Sequence, residues 1–525
     1  MRNLVGFFLS LFLFGLLSTG GAGDHAGPVE VLAAGRLDSW HEKVQPAVWD
    51  SFEDGKGEFL VYLETQADLS DAPLLKTRLE KGRYVYRRLT ETARKAQAPV
   101  IAVLSKLGMQ HQPFWIANMI WVRGDQQVIE ILAKRADVAG IFANPTLHFD
   151  PPAIEVSGRT GVFSTAVAAE IEWNLEKVNA DDVWASGYNG SGVVIGGQDT
   201  GYSWDHPALK ERYRGWDGSG VDHNYHWHDA IHENDPKTAP GNPCGFDAVE
   251  PCDDDGHGTH TLGIMVGDDG DENHIGVAPG AKWIGCRNME QGWGTPASYS
   301  ECFQWFLAPT DLQGNNPRPD WAPHVINNSW GCPEVEGCSD PAILLQVVDN
   351  LRAAGILTVH SAGNQGPSCS SVNSPAAIYD ASFSVGNVTM DDTIAPSSSR
   401  GPVSIDGSGR LKPDISAPGT FIRSTIPGGG YAVKSGTSMA APHVAGVAAL
   451  LISARPELAG QVATIEEIIQ LSAVPLVSEE DCGGTAGLVP NNVYGWGRID
   501  ALAAIERAMQ EFELQYLPFV VDGAE

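Results

Sequence analysis

At 525 residues, 43% of them apolar, the chain is too long for one small domain and too apolar to remain disordered. Its net charge of −31 is unevenly spread: residues 1 to 170 carry 17 Lys+Arg against 19 Asp+Glu, and the remainder carries 17 against 46. A body this acidic repels nucleic-acid phosphates and anionic lipid headgroups, so neither is an expected partner, and the asymmetry hints at two parts.

The first element is a leader. Arg2 precedes an apolar run from Leu4 to Leu17, and small residues follow through Gly20, Ala22 and Gly23. About 14 apolar residues fall short of the roughly 20 that span a bilayer. Segment 1–23 therefore reads as a cleaved signal peptide, and no later run reads as a membrane anchor. The expectation is a secreted protein.

Residues 57–148 predict a small α/β unit. "GEFLVYLET" reads as a strand and "GRYVYRRLTETARKAQAPVIAVLSKLG" as one helix or two broken near Pro99. "FWIANMIWVRG" reads as a strand, "DQQVIEILAKRADV" as an amphipathic helix and "AGIFANPTLHF" as a last strand. Pro, Ser and Gly in 150–168 predict a linker. Beyond it, the β-rich runs "GVVIGGQD", "KWIGC", "HVINNSWG" and "GILTVHSAGN" alternate with helical stretches such as "DPAILLQVVDNLRAAG". That alternation predicts βαβ units and a largely parallel sheet covered by helices on both faces. Functional residues of such sheets collect at the carboxyl ends of the strands. "IEEIIQLSAV" and "IDALAAIERAMQEF" read as closing helices, and 513–525 as a tail.

All eight cysteines lie in the second part, and an even number in an exported chain points to disulfides. The short spans 244–252, 286–302 and 332–338 suggest local bridges and leave 369–482, although eight cysteines allow 105 pairings. Zinc is disfavoured because no CxxC spacing occurs.

Four polar residues stand out. Ser438 opens the apolar stretch "SGTSMAAPHVAG", where the positive end of a helix dipole would hold a developing negative charge. Asp199 ends "GVVIGGQD", His257 sits in "CDDDGHGTHTLG" and Asn364 ends "TVHSAGN". Singly, each is a turn, cap or packing residue. Together they are a carboxylate, an imidazole and a hydroxyl that could activate a serine nucleophile, with a side-chain amide for an oxyanion.

Four motifs carry a resemblance: "DTG" (199–201), "HGTHTLG" (257–263), "AGN" (362–364) and "GTSMAAPHVAG" (436–446). Supporting segments are "IGVAPGA" (275–281), "SSSRGP" (397–402) and "KPDISAPG" (412–419). On these the chain resembles the subtilisin-like (subtilase, S8) serine peptidases over roughly 172–510. "EWNLEKVNADDVWASGYNGSG", "INNSWG" and "YGWGRIDALAA" make it most similar to the bacillopeptidase F type.

The resemblance implies a three-layer α/β fold with a mainly parallel sheet over 171–512. It is preceded by a small α+β propeptide domain within 24–160, whose inhibitor-like core is 57–148. It implies a secreted monomeric endopeptidase acting on protein or peptide substrates, with its own propeptide as intramolecular inhibitor and folding aid. Asp199, His257 and Ser438 would be catalytic, Asn364 would hold the oxyanion, and 329–331 and 361–363 (Ser329, Trp330, Gly331; Ser361, Ala362, Gly363) would wall the substrate pocket. Trp330 would add apolar surface there, and neutral Gln365 at the rim favours bulky apolar residues before the cut; Glu334 and Glu336 are the competing acidic feature. A narrow-specificity processing protease shares these motifs, and a binding module that has lost its chemistry is disfavoured by the intact residues.

His260 and His443 read as packing residues. No cofactor is needed for the chemistry. A structural calcium is possible, but the family's usual aspartate after "HP" is Ala208 here. Asp268, Asp269, Asp271 and Glu272 are alternative carboxylates that equally well solvate a turn. The four-histidine insert 221–235 is expected to be a surface loop lining the cleft, with a metal site the less favoured reading.

Overall fold

The computed structural model describes residues 39–50, 52, 55–148, 170–235, 237–239, 241–332, 338 and 340–516. The leader, the tract 150–168, Glu334, Glu336 and 517–525 lie outside them.

The first part contains α1 (Ala47–Asp50), β1 (Gly57–Leu63), α2 (Arg78–Leu107), β2 (Gln110–Phe114), β3 (Met119–Gly124), α3 (Gln126–Ala133) and β4 (Val138–Ala143). Its strands form an antiparallel sheet in the order β2-β3-β1-β4. A capping box between Thr77 and Glu80 starts α2, and Gly108 in the left-handed region (φ 69°) stops it. The helix runs unbroken through Pro99. Proline removes the hydrogen bond to the carbonyl four residues back, but Lys95 and Pro99 are both exposed, where that loss is least costly.

Two expected strands are divided. "FWIANMIWVRG" falls across a hairpin, β2 turning into β3 through Asn118 at φ 43°. "AGIFANPTLHF" breaks at 144–146, where Pro145 has no amide to continue the ladder. Its remainder, β5 (Leu147–His148), joins a different sheet.

The second part begins with β6 (Glu170–Ile171), α4 (Trp173–Lys177), α5 (Ala180–Ala185), β7 (Val194–Asp199), α6 (Pro207–Lys210), β8 (Trp227–Asp229) and α7 (His257–Val266). There follow β9 (Asn273–His274), β10 (Lys282–Arg287), β11 (Met289–Glu290), β12 (Trp293–Gly294), α8 (Pro296–Leu307), β13 (Val325–Asn328), α9 (Leu345–Ala353) and β14 (Leu357–Ser361). The chain continues through β15 (Phe383–Val388), β16 (Ile415–Pro418), β17 (Ile422–Ile426), β18 (Gly430–Lys434), α10 (Thr437–Ala454), α11 (Val462–Leu471) and α12 (Ala501–Tyr516).

Seven strands in the order β16-β15-β14-β13-β7-β10-β8 make the main sheet, with every pairing parallel. One face packs on α7, α10 and α12 and the other on α8 and α9, a three-layer α/β arrangement. Strands buried on both faces need apolar residues throughout, and β13, β14 and β15 are buried at every position. Among the described residues α10 is long and apolar enough to cross a membrane, yet it lies inside this core. The bridges 244–252, 286–302, 332–338 and 369–482 are all formed.

The first part seals the α8/α9 face. Phe114, Ile116 and Leu89 share one apolar core with Phe303 and Leu351. Tyr62 donates to the Ile343 carbonyl at 2.7 Å, Lys81 to the Gly460 carbonyl at 2.7 Å, and the Gln304 side chain accepts from the amides of Trp115 and Ile116.

The four-histidine insert is not a surface loop. Its "WHD" is β8, the edge strand of the main sheet, with Trp227 in the core and Asp229 in a two-bond ion pair to buried Arg287, both bonds at 2.9 Å. The histidines disperse to Tyr213, the Asp222 carbonyl and Glu301. Glu301 receives His228 at 2.8 Å, His232 at 3.0 Å and Gln112 of the first part at 2.7 Å. Burial opposes its charge, but the two histidine hydrogen bonds hold its carboxyl well below the usual glutamate range. The bond to Glu301, opposed by burial, pushes His232 up to about 10.

A lowered glutamate stabilises above its ordinary value of 4.5, and a raised histidine stabilises below its ordinary 6.5. Glu301→Gln is therefore expected to lower the Tm of the full chain by roughly 2–4 °C near pH 5–6. The deficit should shrink as pH rises from 6.5 toward about 10. A deficit unchanged between pH 5.5 and 9 would remove His232 from this account.

Candidate active site

Three neighbouring strands of the main sheet, β14, β13 and β7, end side by side. Asp199 closes β7, 329–331 follows β13, and Ser361 closes β14 just before Asn364. Two helices start at the same edge: α7 with His257 as its first residue, and α10 with Ser438 as its second.

Asp199 and His257 are fully buried, and Asp199 Oδ1 accepts from His257 Nδ1 at 2.7 Å. The Thr200 amide donates to the same oxygen at 2.8 Å, which fixes the carboxylate. Close approach of α7 to β7 requires glycine at 258: a Cβ there would stand 2.2 Å from the Gly201 carbonyl oxygen and 3.0 Å from Asp199 Cβ.

Asp253, which lies four residues before His257 and was not singled out from the sequence, positions this pair. One of its oxygens accepts from Thr200 Oγ1 at 2.8 Å and the Gly256 amide at 2.8 Å, and the other from the Thr259 amide at 2.9 Å. It thus caps α7 while gripping the residue after Asp199. An acid shortly before a helix start was the available signal.

Ser438 is buried, and its hydroxyl donates to the Ser329 carbonyl at 3.1 Å; Ser329 Oγ donates back to the Ser438 carbonyl at 2.9 Å. Asn364 is half-buried, and its Oδ1 accepts from both the amide and the hydroxyl of Thr437 at 3.0 Å. Those two donors settle which end of the amide is oxygen, so the NH2 end is the one presented to a ligand.

Of the expected wall residues, Ser361 and Ala362 are buried and Gly363 adopts φ 105°. The Gly363 carbonyl accepts from the Ser399 amide at 3.0 Å. Trp330 departs from expectation. Its indole is 1% exposed and stacks on Tyr299, ring centroids 4.0 Å apart, so it packs beneath the cleft and adds no surface to it.

His260 and His443 are packing residues. Burial and nearby Lys434 push His260 down, and its Nε2 meets the Ala432 carbonyl at 3.0 Å. Burial lowers His443 to about 4, between the Met439 carbonyl and Asn174.

In the acidic turn after α7 the carboxylates accept from the turn's own amides: Asp268 from that of Gly270, and Asp269 from those of Asp271 and Asn273. Among the described residues no three carboxylates, histidines or cysteines converge.

The family model described as the subtilase family, peptidase S8, matches residues 190–497, more than half of the chain. The chain belongs to the subtilase family. This subtilase is of the bacillopeptidase F type: it is 35% identical over 446 residues to bacillopeptidase F of Bacillus subtilis (strain 168), covering 82% of the chain but 29% of that relative. It is 30% identical over 378 residues to M-protease of Shouchella clausii (strain KSM-K16), covering 72% of the chain and 79% of that protein. Against subtilisin BL of Lederbergia lenta it is 31% identical over 338 residues, 64% of the chain and 99% of the relative. The subtilase thus spans less than a third of bacillopeptidase F but most of the two shorter relatives.

Proposed function

We propose that this subtilase is an exported serine endopeptidase, made as a zymogen that processes itself, that cuts peptide bonds through an acyl-enzyme. The observation that carries the reading is the buried 2.7 Å Asp199–His257 pair at the sheet edge where Ser438 opens α10. His257, kept in one tautomer by Asp199, takes the Ser438 proton as the hydroxyl turns from Ser329 to the substrate carbonyl. The tetrahedral oxyanion is held by the Asn364 NH2 and the Ser438 amide at the positive end of α10. His257 then protonates the leaving amine, and water releases the acyl group by the same steps reversed.

The core 57–148 of the propeptide segment 24–160 acts as the attached inhibitor. Supporting this, β5 pairs antiparallel with β12 (Leu147 opposite Gly294, His148 opposite Trp293), occupying an edge strand with chain of the protein's own. In this reading the first 23 residues direct export, no cofactor enters the chemistry, and the mature enzyme is a monomer acting on proteins or peptides.

Preference before the cut is for bulky apolar side chains. The described pocket segments contain no carboxylate that would pair with a buried Lys or Arg, and Gln365 is neutral and exposed.

An organophosphorus serine reagent should label one residue, Ser438, per mature chain. Matched chromogenic peptides should then rank Phe, Leu and Met above Lys and Arg in kcat/KM. No labelling would favour the inactive binding module, and Arg or Lys in first place would defeat the apolar pocket.

A further inference from the structure

Lys434 closes β18 four residues before Ser438, and it is half-buried. Its ammonium donates to the carbonyl of Gly256, the residue before His257, at 3.0 Å. Among the described residues no carboxylate pairs with it, although the chain from 171 onward holds 46 acidic residues against 17 basic ones. Arg423 meets Glu172 at 2.9 Å, Arg352 meets Glu466 at 2.6 Å, and Arg287 meets Asp229, whereas Lys237 and Lys282, like Lys434, donate to carbonyls. Among the described residues the chain itself therefore places no carboxylate against this ammonium, whose hydrogen-bond partner is a neutral carbonyl.

Its place identifies the ligand. The β17–β18 hairpin is fastened to the first turns of α7: Ser424 Oγ donates to the His260 carbonyl at 2.7 Å, and Thr425 Oγ1 to the Thr259 carbonyl at 2.7 Å. The hairpin therefore flanks His257, whereas the acyl-side walls 329–331 and 361–363 follow β13 and β14. The imidazole that accepts the serine proton must hand it to the leaving amine, so the leaving half of the substrate lies beside His257. Lys434 borders that half. The Gly256 carbonyl uses one of three ammonium donors, and two remain for a carboxylate.

We propose that Lys434 selects substrates whose leaving half carries Asp or Glu at the first or second residue after the cut. The inference rests on the peptidase reading above and adds to it a charge preference on the leaving side. The body's overall negative charge works the other way, favouring basic peptides at long range, but physiological salt screens it beyond about 8 Å. At contact distance the lysine dominates.

The test uses the mature chain, with active sites counted by the serine reagent. Internally quenched peptides share one acyl half and differ only in Glu, Gln or Lys at the first or second leaving position. Glu should exceed Gln in kcat/KM by about fivefold, the size of a half-exposed ion pair, and Lys should fall below Gln. The Glu/Gln ratio should persist in Lys434→Arg, fall to about 1 in Lys434→Met and invert in Lys434→Glu. Each ratio is taken within one variant, so a general loss of activity does not affect it. A native ratio near 1, or a ratio that survives Lys434→Met, overturns the inference while leaving the peptidase reading intact. A chain that takes up no serine reagent overturns both.

Discussion

Replacing Ser438 by alanine is expected to lower kcat on the order of a millionfold and to leave the chain at full length. The size follows from the nucleophile role proposed for Ser438: a factor of a million is about 8 kcal/mol of barrier, at about 1.4 kcal/mol for each tenfold. The structural cost is far smaller. Ser438→Ala deletes one buried hydroxyl and its 3.1 Å bond to Ser329, worth about 1 kcal/mol, and alanine suits a helix start packed among Ala440, Ala441 and Met439. Loss of activity with a nearly unchanged Tm is therefore the signature sought. Because the cut after the first part is proposed to be made by the chain itself, the variant expressed alone should accumulate as uncut precursor. Normal maturation of that variant would show that another group, or another protease, does the cutting.

The second large effect is expected at Asn364. Asn364→Leu should reduce kcat by about a hundred- to a thousandfold with little change in KM, since the oxyanion exists only after the carbonyl has been attacked. Leucine also strips Thr437 of the acceptor that serves its amide and hydroxyl, so misplacement of α10 is a competing cause. Asn364→Asp separates the two. The carboxylate keeps an oxygen for Thr437 but sets a negative charge where the oxyanion forms, and it should be at least as damaging as leucine. If the aspartate variant retained activity within tenfold of the native chain, Asn364 would be holding α10 and not the oxyanion.

The strand ends and helix starts of this site were legible because their chemistry is local. Glycine must flank His257 where α7 meets β7, and small residues must surround Ser438, so spacing and residue type coincide with position. Side-chain direction was not legible around Trp330: β13 is buried on both faces, and alternation carries no information there. Asp253 was hidden for a different reason. In "DDD" a capping carboxylate and solvated ones look alike until the helix start is fixed in space. The edge strand β8 was missed because three residues, a tryptophan, a histidine and an aspartate, carry a weak strand signal, and Asp229 is tolerated inside only because Arg287, nearly 60 positions away, meets it. The hairpin at Asn118 had a turn residue to announce it, but the apolar residues on both sides outweighed one asparagine.

If the first part is the attached inhibitor proposed above, the pairing of β5 with β12 makes latency a question of chain connectivity. While residues 148 and 170 belong to one polypeptide, the two edges meet at an effective concentration in the millimolar range, and diluting the protein cannot separate them. Once the link is cut, the same contact becomes a bimolecular equilibrium set by total protein. A concentrated store would then stay silent, and the same molecules would switch on when dispersed.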